Sequence, residues 1–299
     1  MKQHANAFAA VFLLATMPVS AGVATTVDKR IAATATGQVR ILNVSGSVTV
    51  QGNTGNEVRV TGNLGADVEK LDLVSDRGGI IVKVVLPKIS LGKTRTSADI
   101  IVSVPQGSRL EVSTVSAEQN IRGVLGDLQV SSVSGDVNST LLGASAQVKT
   151  VSGDVLLNGN RKSGKLTVST VSGNIRLTNR SGDLDVKTVS GEVYASMDSI
   201  SALRASTTSG NYSVRGKISR SAVVEFSSVS GNVSLAGGSE AGMDVNLSAF
   251  SGKISTCFAS QAESASKHSL GKRLAQKLGG GGAAVRVKTL SGDISLCDR

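Results

Sequence analysis

The chain has 299 residues, 40% of them hydrophobic and 18% charged, with a formal net charge of +10 at pH 7. That is enough apolar material for a sizeable core, and a basic surface favours anionic partners such as lipid head groups, acidic polysaccharide or nucleic acid. With no Trp, two Tyr and five Phe, it lacks the aromatic platforms on which bases stack, which sets nucleic acid aside.

Residues 1–21 read as a secretory signal: Lys2 is a short basic start, Ala5 to Met17 an apolar run, and Val19-Ser20-Ala21 a small-x-small cleavage site. The cut is expected after Ala21, with Ala24 as the alternative. The apolar run falls short of the roughly 20 residues of a membrane span. No cysteine follows it that could carry a lipid, and no later apolar stretch is long enough to cross a bilayer. The expectation is an exported, soluble protein of the periplasm or cell surface. Losing Lys2 leaves 31 basic residues against 22 acidic ones, a net of +9. Those charges are scattered, as at Arg161, Lys162, Arg176, Arg180 and Lys187, which also suits a plain solvated surface.

Residues 22–36 are assigned to a linker and 37–299 to a single domain. Its first third, 37–130, carries worn repeats. Gln38 to Val50 contains V-S-G-S-V, Glu57 to Gly62 is a strand and turn, and Leu71 to Ser75 and Ile80 to Leu86 follow. Pro87 to Ser97 reads as a basic loop, and Pro105-Gln106-Gly107 as a turn after Ile100 to Val104. An irregular first third suits the end of a repeat array, where the core must be capped.

From residue 131 one phrase recurs: V-S-G-D-V at Val133 and Val151, V-S-G-N-I at Val171, V-S-G-E-V at Val189, T-S-G-N-Y at Thr208, V-S-G-N-V at Val229, F-S-G-K-I at Phe250 and L-S-G-D-I at Leu290. Its glycines are Gly135, Gly153, Gly173, Gly191, Gly210, Gly231, Gly252 and Gly292, at steps of 18, 20, 18, 19, 21, 21 and 40 residues. A step of about 20 is the signature of a repeat architecture. Each unit holds two alternating apolar runs, as in Leu166 and Val168, then Val171, Ile175 and Leu177, which read as two half-buried strands joined at a bend. The reading is all-β: a β-solenoid, parallel and β-helix-like, with coils of about 20 residues and two strands per coil. A sandwich gives no reason to repeat one phrase, and propeller blades need about 40–50 residues.

The run A-D-I-I-V-S-V-P-Q-G-S-R-L-E-V-S-T-V-S, Ala98 to Ser116, followed by the serial V-S-G-D-V coils, resembles the bacterial β-strand-repeat "putative adhesin" family of domains of unknown function. The likeness covers roughly 37–299. It implies an exported β-solenoid of the cell envelope and carries over no catalytic or binding residues.

Residues 258–283 break the pattern between the regular coils of 131–257 and 284–299. Leu270, Leu274 and Leu278 lie at i, i+4 and i+8, with Lys267, Lys272, Arg273 and Lys277 around them. That suggests a short amphipathic helix, resting on an anionic membrane or, more simply, a helical or flexible flap packed on the solenoid. Gly279 to Gly282 ends it. Cys257 and Cys297 each lie five residues after a repeat glycine. If the insertion loops out, their coils are neighbours about 4.8 Å apart, within disulfide range, and an oxidising compartment favours the bond.

The residue after each glycine is Asp136, Asp154, Asn174, Glu192, Asn211, Asn232, Lys253 or Asp293, which stacks into a ladder. Ca²⁺ held by Asp136, Asp154, Asn174 and Glu192 is one reading; the plainer one is that Asp and Asn favour turns. The glycine-rich calcium nonapeptide is absent. The mature chain keeps one histidine, His268, in the insertion, and no G-x-S-x-G elbow. Stacked carboxylates alone leave open a carbohydrate-active enzyme on a β-helix, although Tyr194 and Tyr212 are the only tyrosines for a sugar platform, and Tyr212 occupies the phrase's apolar position. The reading adopted is a non-catalytic, cofactor-free envelope protein, an adhesin-like binding or scaffolding rod. An anionic envelope polymer or another envelope protein is its partner class. The alternatives are the enzyme and an assembly component acting through 258–283.

Overall fold

A computed structural model describes residues 24–76, 78–87, 95–238, 242–258, 263–264 and 271–297. The expected signal at 1–21, most of the basic loop, His268 and the terminal Asp298-Arg299 lie outside the described residues. The first third forms β1 (Thr25–Ala32), β2 (Gln38–Asn53), β3 (Glu57–Leu64), β4 (Lys70–Asp76), β5 (Gly79–Val85) and β6 (Ala98–Pro105). The repeats form β7 (Arg109–Arg122), β8 (Leu128–Ser132), β9 (Val137–Leu141), β10 (Ser145–Thr150), β11 (Val155–Gly159), β12 (Ser163–Thr170), β13 (Ile175–Ser190), β14 (Val193–Ser209), β15 (Tyr212–Ser230) and β16 (Val233–Ala236). The last stretch forms β17 (Met243–Ser251), β18 (Ile254–Thr256), β19 (Glu263–Ser264), β20 (Lys272–Leu278), β21 (Ala283–Ser291) and β22 (Ile294–Cys297).

Alternation of Val, Ile and Leu with Ser, Thr and charged residues puts one set of side chains inward on every strand. Parallel, in-register pairing then stacks like on like. Val112, Val130, Val148, Val168 and Val186 form one inner column. Val137, Val155, Ile175, Val193 and Tyr212 form the facing one, and all ten are buried. Tyr212 is closed in by its edge contact with Phe226, ring centroids 5.8 Å apart, and by donating its hydroxyl to the Ser206 carbonyl at 2.7 Å.

The expected uniform solenoid with a helical or flexible insertion is corrected on three counts. First, the strands close on themselves. β7 runs unbroken through the bend of the phrase and β13 through the polar turn at 179–182, and each pairs in both ladders, so β7, β8, β10, β12, β13, β11 and β9 form a closed seven-stranded parallel barrel within a β-helix-like fold. Second, no helix occurs among the described residues; Lys267 and Leu270 lie outside them, and the described part of the candidate helix is the strand β20, antiparallel to β17 with Leu274 opposite Leu247 and Leu278 opposite Met243. Third, antiparallel strands are added at the ends, although β2 with its V-S-G-S-V continues the parallel stack, Gly46 lying beside Ala117 of β7. β1, β3 and β6 pair antiparallel in series, as do β4 and β5. Such strands, like β20 at the other end, cover backbone edges that would otherwise invite pairing with another chain.

Spatial order also departs from chain order. β21 and β22 pair with β15 and β16 on one side and with β17 and β18 on the other. The final 15 residues of described chain, 283–297, therefore slot in between two levels formed earlier. This accounts for the doubled step of 40 residues. The Cys257–Cys297 disulfide, with Cα atoms 4.9 Å apart, ties the inserted level to β18.

Candidate functional site

The repeated phrase forms the corner where the first ladder passes into the second, and each residue in it has one physical task. The Thr or Ser three places before the glycine turns its hydroxyl back onto the glycine N–H: Ser132 to Gly135 at 2.9 Å, Thr150 to Gly153 and Thr170 to Gly173 at 3.0 Å. The glycines stack directly. A Cβ on Gly153, Gly173, Gly210, Gly231 or Gly292 would come within 2.0–2.3 Å of the carbonyl oxygen of the glycine one level below. Read from those contacts, the column runs Ala117, Gly135, Gly153, Gly173, Gly191, Gly210, Gly231, Gly292, Gly252.

The residue after the glycine holds the next level in register. One side-chain oxygen of Asp136, Asp154, Asn174, Asn211, Asn232 and Asp293 accepts the backbone N–H of its counterpart in the adjoining level, at 2.8–3.0 Å. The last acceptor in the series, Asp293, takes the N–H of Lys253, whose own level ends the column. Only at that end does the position carry a side chain with no acceptor atom. Asp and Asn therefore recur because they accept hydrogen bonds along the stack. Of the four residues considered for Ca²⁺, Asp136, Asp154 and Asn174 already have an oxygen engaged in this way. Among the described residues no three His, Cys, Asp or Glu side chains come together as a metal site.

Two shallow grooves flank the corner. On the second ladder, Glu118, Asp136, Asp154, Glu192, Leu156, Arg176 and Tyr194 line an open groove of about 480 Å³, with the Arg176 guanidinium 5.0 Å over the Tyr194 ring. On the first ladder, Lys187, Arg204, Arg286 and Lys288 line a trough of about 440 Å³ with Asp185 and Glu225. Glu225 is shared between Arg204 at 3.7 Å and Arg286 at 3.6 Å, so cations outnumber anions there. Beyond the trough the same face continues to Arg273, paired in register with Ser248, and Lys277, paired with Asp244.

Two features escaped the sequence reading. The apolar residue two places before the glycine was expected to point inward. Instead Val115, Val133, Val151, Val171, Val189, Val229, Leu290 and Phe250 are 44–53% exposed. With Thr208 they form a stripe along the corner. The bend turns this side chain out while the glycine two places on takes the close approach. Arg180, read as a scattered surface charge, is fully buried. Its guanidinium donates to the carbonyls of Gly143 at 3.1 Å and Ala144 at 3.2 Å, and burial lowers its pKa from the usual arginine value. Gly164 leaves the space it fills. No sequence signal separates this Arg from its exposed neighbours.

These features define a class: an all-β, repeat-built, β-helix-like protein with a hydrogen-bonded corner ladder. The chain belongs to the Toastrack DUF4097 family, whose model matches residues 89–241. No curated protein matches it. Similar solved structures include a "Putative lipid binding protein" from Parabacteroides distasonis ATCC 8503, 12% identical over 91% of this chain and 96% of that one, TM-score 0.34. A "putative cell adhesion protein" from Clostridium sporogenes ATCC 15579 is 11% identical over 91% and 99%, TM-score 0.21. A "putative adhesin" from Parabacteroides merdae ATCC 43184 is 10% identical over 91% and 95%, TM-score 0.29.

Proposed function

We propose that this chain is a non-catalytic protein of the cell envelope that binds an anionic envelope polymer along its first ladder, in the manner of an adhesin or scaffold. The observation that carries this reading is the trough of Lys187, Arg204, Arg286 and Lys288, on a face whose positions recur every ~4.8 Å. A linear polyanion meets successive cations on such a face without needing a deep pocket. Export is part of the proposal. The apolar segment at 1–21 and the Cys257–Cys297 disulfide support it, since disulfides persist outside the reducing cytosol. No helix of the described residues is long and apolar enough to cross a membrane.

The test is titration of the chain from residue 22 onward with polygalacturonate, using neutral dextran as the control, at low and high salt. Saturable, salt-sensitive binding to the polyanion alone is expected, weakened at least tenfold by Arg204→Glu with Arg286→Glu. Equal binding to both polymers, or none to either, overturns the assignment. Release of new reducing ends from the polymer overturns the non-catalytic part.

A further inference from the structure

The exposed stripe is a surface the binding reading does not use. Its nine side chains, Val115 to Phe250 in spatial order, occupy consecutive levels of the corner column, so at ~4.8 Å per level the stripe is ~38 Å long. Monomeric proteins seldom leave eight large apolar side chains in one line, interrupted here at Thr208 alone.

The charges beside it are matched in six of its nine levels. Four places before the glycine, on one flank, the repeats carry Lys149, Lys187 and Lys288; one place after it, on the other flank, those same three levels carry Asp154, Glu192 and Asp293. The levels with Asn174, Asn211 and Asn232 carry Ser169, Ser206 and Ser227 instead. Lysine and acid thus occur together in three levels, on opposite sides of the stripe, while Glu118 and Asp136 share their levels with Ser113 and Ser131, and Lys253 shares its level with Ser248. No ion pair within 4 Å involves any of these three lysines or three acids among the described residues.

We infer that a second copy of this chain docks on the stripe, about a two-fold axis running parallel to it. Such an axis exchanges the two flanks and keeps the levels aligned. Each lysine then faces the acid of its own level on the partner, and each valine faces its counterpart. A two-fold axis perpendicular to the stripe would set lysine flank against lysine flank, so charge selects the parallel arrangement. The column of acids beside the stripe argues against an anionic membrane as the occupant. Five residues of extended chain span at most ~17 Å, so the strip covers up to roughly 650 Å² per partner, at the lower end of specific interfaces. The dimer is accordingly one of micromolar dissociation constant. The two readings share Lys187 and Lys288, and Arg204→Glu with Arg286→Glu, which lie off the stripe, separates them: it should weaken polymer binding and leave the dimer unchanged.

Sedimentation equilibrium of the chain at 5–200 μM, a range of about forty-fold around such a constant, should show mass rising toward twice that of one chain. Val171→Asp with Val189→Asp should leave a monomer with an unchanged circular dichroism spectrum, since both positions are exposed. If those aspartates disturb folding, Val171→Thr with Val189→Thr serves, because Thr208 already occupies the same place. Lys187→Glu should weaken association at least tenfold, and adding Glu192→Lys should restore it. A cysteine in Val171→Cys should cross-link to its own counterpart. A monomer throughout the range overturns the inference. So does a dimer indifferent to the stripe variants, failure of the charge exchange to rescue, or capture of lipid vesicles in place of a second copy.

Discussion

Gly173→Ala tests the reason for the repeated glycine. The added Cβ would sit 2.0 Å from the Gly153 carbonyl oxygen, against backbone that has no flexible end to move aside. A tolerable contact needs more than ~3 Å, so the corner must open by ~1 Å of the ~4.8 Å between levels. Two bonds cross that gap beside the glycine: Ser172 N–H to the Val151 carbonyl at 2.9 Å and Asn174 N–H to Asp154 Oδ1 at 2.8 Å. Losing both costs about 1–3 kcal/mol, and overpacking adds about 1–3 kcal/mol, so destabilisation of about 2–6 kcal/mol is expected. Urea unfolding followed by circular dichroism measures it. Hydrogen exchange at residues 172–175 shows whether the loss is local, as repeat arrays permit. Gly78→Ala is the control, because a Cβ there meets nothing within 4 Å. If the two substitutions agree within about 0.5 kcal/mol, the size expected of neutral surface changes, the close-stacking argument is wrong.

Asp154→Ala should cost about 1 kcal/mol by removing the acceptor for the Asn174 N–H. Asp154→Asn should recover it, and Lys253→Ala, at the end of the column, should change nothing; thermal melts compare the three. Reducing the Cys257–Cys297 bond opens a loop of 40 residues, and chain-entropy scaling puts the loss at about 4 kcal/mol. Comparing Cys297→Ser with the oxidised parent in urea checks this, and equal midpoints would contradict it. Arg180→Met should be neutral or stabilising, because Met197 holds the neighbouring register position and a buried charge without a carboxylate partner is costly. Arg180→Ala should instead lose about 2–4 kcal/mol through a cavity. Denaturant midpoints that rank Met below Ala would refute that account.

Much of the corner was readable from residue order alone. A glycine every 18–21 residues, preceded by Thr or Ser and followed by Asp or Asn, specifies a stacked bend because each residue type meets a local need. The Tyr212 position in the core followed from period-two alternation in the same way, and burial raises its hydroxyl pKa above the usual tyrosine value. The insertion was misread for a definite reason. Leu270, Leu274 and Leu278 are four apart, and four is both about one helical turn and an even number. The same spacing fits one face of a helix or one face of a strand. The unpaired edge of β17 decided the matter by supplying hydrogen-bond partners for β20.

Residue order by itself determined the repeat, its inward columns and the acceptor after each glycine, because these depend on neighbours within one turn of chain. Only the tertiary structure decided that the strands close into a ring, that 283–297 enters between earlier levels, that Arg180 is buried, and that the first apolar residue of each phrase faces out. Those outcomes depend on which distant segment lies alongside, and on how the backbone turns at the bend. A pattern along the chain carries neither.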